Sequence, residues 1–179
     1  ERVAATAIPA IYVNLVGGQD ELVFDGASFA LDGEGQCRMR LPQFEEALGV
    51  VDYDRGRLSS VDMAEELTVE AEAYRALVLG VRDYIGKSGF QGALIGLSGG
   101  IDSALTLCVA VDALGADKVR AVMMPSPYTA QMSLDDSRAM IAALGVRYDE
   151  VPIAPAMATY EAMLDPLFAG LPADTTEEN

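Results

Sequence analysis

The chain has 179 residues, 51% of them hydrophobic and 22% charged, with 28 acidic against 12 basic side chains and a formal net charge of -16. That balance disfavours polyanionic partners, which sets aside a nucleic-acid surface and an acidic membrane surface. Histidine is absent, so Ser-His-Asp and Cys-His catalysis and any histidine-based zinc site are excluded within these residues.

No apolar run approaches the ~20 residues of a membrane-spanning helix, and no signal peptide is visible at Glu1. Cytoplasm is the expected location. Two cysteines, Cys37 and Cys108, make no disulfide scaffold and read as structural residues. The length suggests one or two domains.

Residues 1–54 read as β-rich after a short helical opening over Glu1–Ile8. Ala10–Val16 is a compact apolar run expected to form a buried strand. Glu21–Phe24 and Ala27–Leu31 are expected to pair around Asp25-Gly26, a favourable turn dipeptide. Gly17-Gly18-Gln19-Asp20 reads as a surface turn. Asp32-Gly33-Glu34-Gly35 turns the chain into a strand over Gln36–Leu41, and a further strand is expected near Val50–Asp54. The polar, turn-prone stretch Arg55–Ser60 marks a boundary, which gives domains of 1–58 and 59–179.

Beyond it the period changes. Met63, Leu67, Ala71, Tyr74, Val78, Val81 and Ile85 recur every three or four positions, which predicts a helix closed by Gly86 and Gly89. Strand and helix then alternate. Leu94–Leu97, Val119–Met124 and Val146–Val151 are strands, and Asp102–Leu114, a segment from Ser133 to Leu144, and Pro155–Phe168 are helices. Ser133-Leu134-Asp135-Asp136 has the form of a capping box. Such alternation implies a parallel sheet whose ligands sit beyond the carboxyl ends of the strands.

At the first of those ends stands Gly96-Leu97-Ser98-Gly99-Gly100-Ile101-Asp102-Ser103. A buried strand, a glycine-containing turn and a helix N-terminus converge there. Free N–H groups and the positive end of the helix dipole suit an anion. Gly99 and Gly100 are expected to permit φ > 0 and close approach. Ser98 and Ser103 add hydroxyls, and Asp102 can hold a metal ion against phosphate oxygens. No Gly-Lys-Ser/Thr follows, so this is not the P-loop of kinases, and Gly-x-Gly-x-x-Gly does not fit either.

Ser-Gly-Gly-Ile-Asp-Ser resembles the pyrophosphate loop of the N-type ATP pyrophosphatases. The second half resembles the ammonia-ligating domain of NAD synthetases through Val122-Met123-Met124-Pro125-Ser126, Tyr128-Thr129, Ser133, Asp136, Leu144-Gly145-Val146 and Asp174–Asn179. The first half, through Tyr12–Ser28, resembles the last part of a nitrilase-like glutamine amidohydrolase domain found in glutamine-dependent NAD synthetases. The implied fold is α/β. It joins a β-rich remnant of a nitrilase-like sandwich to a parallel-sheet, Rossmann-like domain of the adenine nucleotide alpha-hydrolase type.

The resemblance implies ATP on residues 96–103, Met124 beside adenine, Mg²⁺ on Asp102, and Asn179 against deamido-NAD. It implies amidation of deamido-NAD to NAD through an adenylate, with ammonia from glutamine, release of AMP and pyrophosphate, and a homo-oligomer. The glutamate, lysine and cysteine of a nitrilase site have no match here. The stretch shown is therefore expected to be inactive by itself. Other readings are another N-type ATP pyrophosphatase amidoligase and a noncatalytic ATP-binding module.

Overall fold

A computed structural model describes residues 2–58 and 63–170. They form two compact units that divide between Phe90 and Gln91. The first contains helix α1 (Arg2–Thr6), strands β1 (Ala10–Tyr12), β2 (Val16–Gln19), β3 (Leu22–Asp25), β4 (Phe29–Leu31), β5 (Cys37–Arg40), β6 (Tyr53–Asp54) and β7 (Arg57–Leu58), and helix α2 (Val69–Lys87).

The strands pair differently from the local turn signals. Asp25-Gly26 is no hairpin turn: β3 pairs with β2, and β4 lies between β1 and β5. The β2–β3 turn is Asp20-Glu21, with Asp20 left-handed at φ 52°. Nor is Ala10–Val16 one buried strand. Asn14 interrupts it, its N–H donating to Ser28 Oγ at 3.0 Å and its side-chain amide to Asp25 Oδ1 at 2.9 Å. Val13 is 78% exposed. Polar satisfaction at Asn14 outweighs continuation of the strand.

The expected turn at Asp32 does form. Its carboxylate accepts the N–H groups of Glu34 and Gln36 at 3.0 and 2.9 Å and Arg38 Nε at 2.6 Å. Burial alone would raise the Asp32 carboxyl, but the donors from Gln36, Arg38 and Glu34 hold it below its ordinary value. This turn joins β4 to β5, whose inner face packs Ala30 and Met39 with Leu58. Arg55-Gly56, read from sequence as a boundary, is the turn of the β6–β7 hairpin.

Helix α2 begins at Val69, where Thr68 Oγ1 accepts the N–H of Ala71 at 3.3 Å. Met63, predicted to lie on its stripe, instead forms an isolated bridge with Arg40. The helix runs through Gly86 and ends at Lys87, with Gly89 left-handed at φ 73°. It packs against β2 and β3.

The second unit follows the predicted alternation: β8 (Ala93–Gly96), α3 (Ile101–Leu114), β9 (Val119–Met123), α4 (Gln131–Leu144), β10 (Arg147–Glu150) and α5 (Ala154–Leu164). The three strands are parallel in the order β8-β9-β10. Leu97, Leu107, Ala110, Val119, Ala121, Ile141 and Val146 form its core. Full burial of Leu107 contributes about 2 kcal/mol relative to exposure. Helix α4 starts ahead of the predicted capping box. Ala130 is its N-cap, and Ser133 lies inside the first turn with its N–H on Ala130 O at 3.1 Å. Helix α5 is shorter than predicted and gives way to a 3-10 turn over Asp165–Leu167.

One glycine sets the entry to β8. A Cβ on Gly92 would stand 2.1 Å from the carbonyl oxygen of Lys118, which is backbone and cannot rotate away. Gly92→Ala is expected to cost about 3 kcal/mol in urea unfolding through overpacking. Gly115→Ala, where φ is 85° but no atom lies within 4 Å, is expected to cost only the ~1–2 kcal/mol of a left-handed residue. Equal losses would refute the close approach.

Candidate functional site

The stretch 96–103 lies at the carboxyl edge of the second unit's sheet. Gly96 closes β8, and the buried Leu97 carries the ladder one residue further, its N–H donating to Val122 O at 2.8 Å. The chain then leaves the sheet. Gly99 takes φ 82°, in the left-handed region that favours glycine. Gly100 does not: it is the N-cap of α3 at φ -87°, so only one of the two glycines needs its conformational freedom.

Ala104 N–H donates to Gly100 O at 3.1 Å, which starts the α3 ladder. The N–H groups of Ile101, Asp102 and Ser103 precede that ladder and share the positive end of the helix dipole. Ser98 and Ser103 close the turn. Their hydroxyls lie 2.9 Å apart, Ser103 Oγ donates to Gly100 O at 3.0 Å, and the N–H of Ser98 reaches Ser103 Oγ at 3.2 Å. Ile101 is 80% exposed, and Asp102 is also exposed on the first turn. Backbone N–H groups, hydroxyls and a helix dipole thus converge on one edge, an arrangement that suits an anion. Residues 91–117 contain no lysine or arginine.

Neighbouring strand ends supply the rest of the edge. Register pairs Gly96 with Val122, which brings Met124, just past β9 and 55% exposed, to the same side as the loop. The turn after it is held by Thr129 Oγ1, which accepts the N–H of Ser126 at 2.9 Å. Asn179, the implied dinucleotide contact, lies outside the described residues.

Gly99 has a support behind it that no motif in the sequence marks. A Cβ there would come within 2.6 Å of Ser133 Cα, Cβ and O, so the loop is wedged against the first turn of α4. Ser137, 1% exposed, donates its hydroxyl to Ser133 O at 2.7 Å. No periodic signal marks such a support, because its members sit on one helix and one loop 34 residues apart.

Among the described residues no group of three or more His, Cys, Asp or Glu could cage a metal. Asp102 alone suits a hard cation that takes its other ligands from phosphate oxygens and water, as Mg²⁺ does. No helix among the described residues is long and apolar enough to cross a membrane.

The family model described as NAD synthase matches residues 73–179. The chain belongs to the NAD synthase family. Similar proteins also match the part that precedes the family region. The glutamine-dependent NAD(+) synthetase of Acinetobacter baylyi is 46% identical, over 94% of this chain and 32% of its own length. That of Rhodobacter capsulatus is 48% identical over 99% of this chain and 33% of its own. Among solved structures, the glutamine-dependent NAD+ synthetase from Acinetobacter baumannii, in complex with ADP, superposes with a TM-score of 0.94 at 43% identity. It covers 99% of this chain and 34% of that one. This NAD synthase family chain thus spans about a third of the length of the relatives it matches, and its mixed α/β fold with a parallel three-stranded sheet is the one expected.

Proposed function

We propose that the full-length protein converts deamido-NAD to NAD at the expense of ATP, with ammonia drawn from glutamine. The observation that carries this is the loop 97–103: an anion cradle at the carboxyl edge of the sheet, in a chain of the NAD synthase family. Support also comes from relatives named for that reaction and from a neighbour holding ADP. Residues 1–58 are assigned to the end of a nitrilase-like glutamine amidohydrolase domain and residues 59–179 to the beginning of the synthetase domain. The protein is further expected to be cytoplasmic and homo-oligomeric.

In this reading Gly96–Ser103 receive the phosphates of ATP and Met124 lies beside adenine. Asn179 contacts deamido-NAD. A carboxylate oxygen of the nicotinate bonds to the α-phosphorus while the bond to pyrophosphate breaks, giving an acyl adenylate. The N–H groups of Ile101, Asp102 and Ser103 and the two serine hydroxyls face the charge gathering on the leaving pyrophosphate. Asp102 would hold Mg²⁺, which when bound neutralises phosphate charge. Ammonia then bonds to the carbonyl carbon, AMP leaves, and a proton is lost to give the amide.

The test incubates the full-length protein with Mg-ATP, deamido-NAD and glutamine and quantifies NAD, AMP and ADP. NAD appearing one-for-one with AMP is expected. AMP without NAD would overturn the substrate and favour another amidoligase of this loop type, and no AMP at all would leave a binding module.

A further inference from the structure

The Gly17-Gly18 pair is not a surface turn. Both residues lie in β2, which among the described residues pairs only with β3 and so has one free edge. Helix α2 covers that edge with two side chains from successive turns. Asp83 Oδ2 accepts the N–H of Gly18 at 2.8 Å, and Lys87 Nζ donates to Gly18 O at 2.6 Å. The two side chains also pair with each other at 2.7 Å. Both polar groups of one glycine are therefore held by charged partners more than sixty residues away, and charge-assisted bonds of this kind are about twice as strong as neutral ones.

The approach is close because side chains are missing on both sides. A Cβ on Gly17 would lie 3.1 Å from Asp83 Oδ2, and one on Gly18 3.3 Å from Gly80 Cα. Gly80 sits in the interior of α2, where glycine costs about 1 kcal/mol relative to alanine. A Cβ there would meet Val23 Cγ2 at 3.3 Å. The other end of α2 is tied as well: Gln43 bonds to Glu72 and to the N–H of Leu67, and Arg75 pairs with Glu45 at 3.6 Å.

The placement of α2 in the chain gives this contact a role. The family match begins at residue 73, inside α2, whereas β2 and β3 precede it. After Lys87 only residues 88–92 separate the helix from β8, which ends at the phosphate loop. Helix α2 thus belongs by sequence to the half that consumes ammonia and by packing to a hairpin of the half that supplies it.

We propose that Asp83 and Lys87 are positioning residues that couple glutamine hydrolysis to amidation by locking α2 onto Gly18. This rests on the reading given under Proposed function. A lock of this kind is dispensable when ammonia comes from solution and needed when it must pass from one half to the other.

The test uses the full-length protein with Lys87→Met, which keeps the aliphatic stem, Asp83→Asn, which keeps the shape, and Lys87→Arg. NAD formation is measured with glutamine and, separately, with ammonium chloride, and glutamate released per NAD is counted. In Lys87→Met and Asp83→Asn the glutamine-driven rate is expected to fall about fivefold, the low end of ordinary intersite coupling. Glutamate per NAD rises, the ammonium-driven rate is kept, and Lys87→Arg restores coupling. An unchanged glutamate-to-NAD ratio in both variants overturns the proposal, whether the two rates hold or fall together. A parent protein that makes NAD from neither nitrogen source overturns the assigned reaction, and this proposal with it.

Discussion

Gly99→Ala in the full-length protein raises the KM for ATP at least about tenfold, while Gly100→Ala one residue later leaves it nearly unchanged. The two glycines look alike in sequence but stand in different situations. At φ 82° an alanine 99 carries the left-handed penalty of ~1–2 kcal/mol, and its Cβ would come within 2.6 Å of Ser133 backbone atoms. Neither can be relieved by rotating a side chain, so the loop must leave the α4 turn and its N–H groups lose their convergence. At Gly100 the backbone is ordinary, and the nearest atom to a Cβ is Ser98 Oγ at 3.4 Å, an ordinary van der Waals contact. Steady-state kinetics against ATP, with basal glutamine hydrolysis as the folding control, separates the two. Equal effects would show that the wedge against Ser133 is unimportant.

Asp102→Ala lowers Mg-ATP-dependent NAD formation about 10²-fold, in the range found when one transition-state charge contact is removed. Its side chain is exposed and makes no part of the core, and the α3 ladder begins independently at Ala104 N–H to Gly100 O. The melting temperature should therefore stay close to that of the parent. The Mg²⁺ concentration for half-maximal rate should rise, which loss of a favourable first-turn charge alone would not produce. Undiminished turnover would remove Asp102 from the metal role.

The second unit was legible from sequence because its signals are local. Apolar runs at Leu94–Leu97 and Val119–Met124 and the helical spacing after each predicted β8, α3 and β9 within a residue or two, and the loop's position at the strand ends follows from a parallel sheet. The first unit was less legible because strand partners are chosen by tertiary contacts. Asp25-Gly26 has the chemistry of a hairpin turn, yet Gly26 N–H is bonded to Leu15 O and the strands on either side belong to different sheets. Gly17-Gly18 read as a turn because glycines ordinarily mark one. Their actual reason, the close approach of Asp83 and Gly80, lies across the fold. Within the loop, Ser98 through Ser103 were legible as a motif, but the buttress of Ser133 and Ser137 was not. A serine bonding to the carbonyl one turn back leaves no pattern in the sequence.

The paired hydroxyls of Ser98 and Ser103 have a consequence for selectivity. Each already has partners within the turn, Gly100 N–H on Ser98 Oγ at 3.3 Å among them, so any guest competes with bonds the loop makes to itself. Water or a sugar hydroxyl offers an exchange of equals. A polyphosphate offers charge-assisted bonds about twice as strong and wins the exchange. A loop of this build is therefore expected to favour concentrated negative charge over neutral solutes, without a single cationic side chain between Gln91 and Asp117.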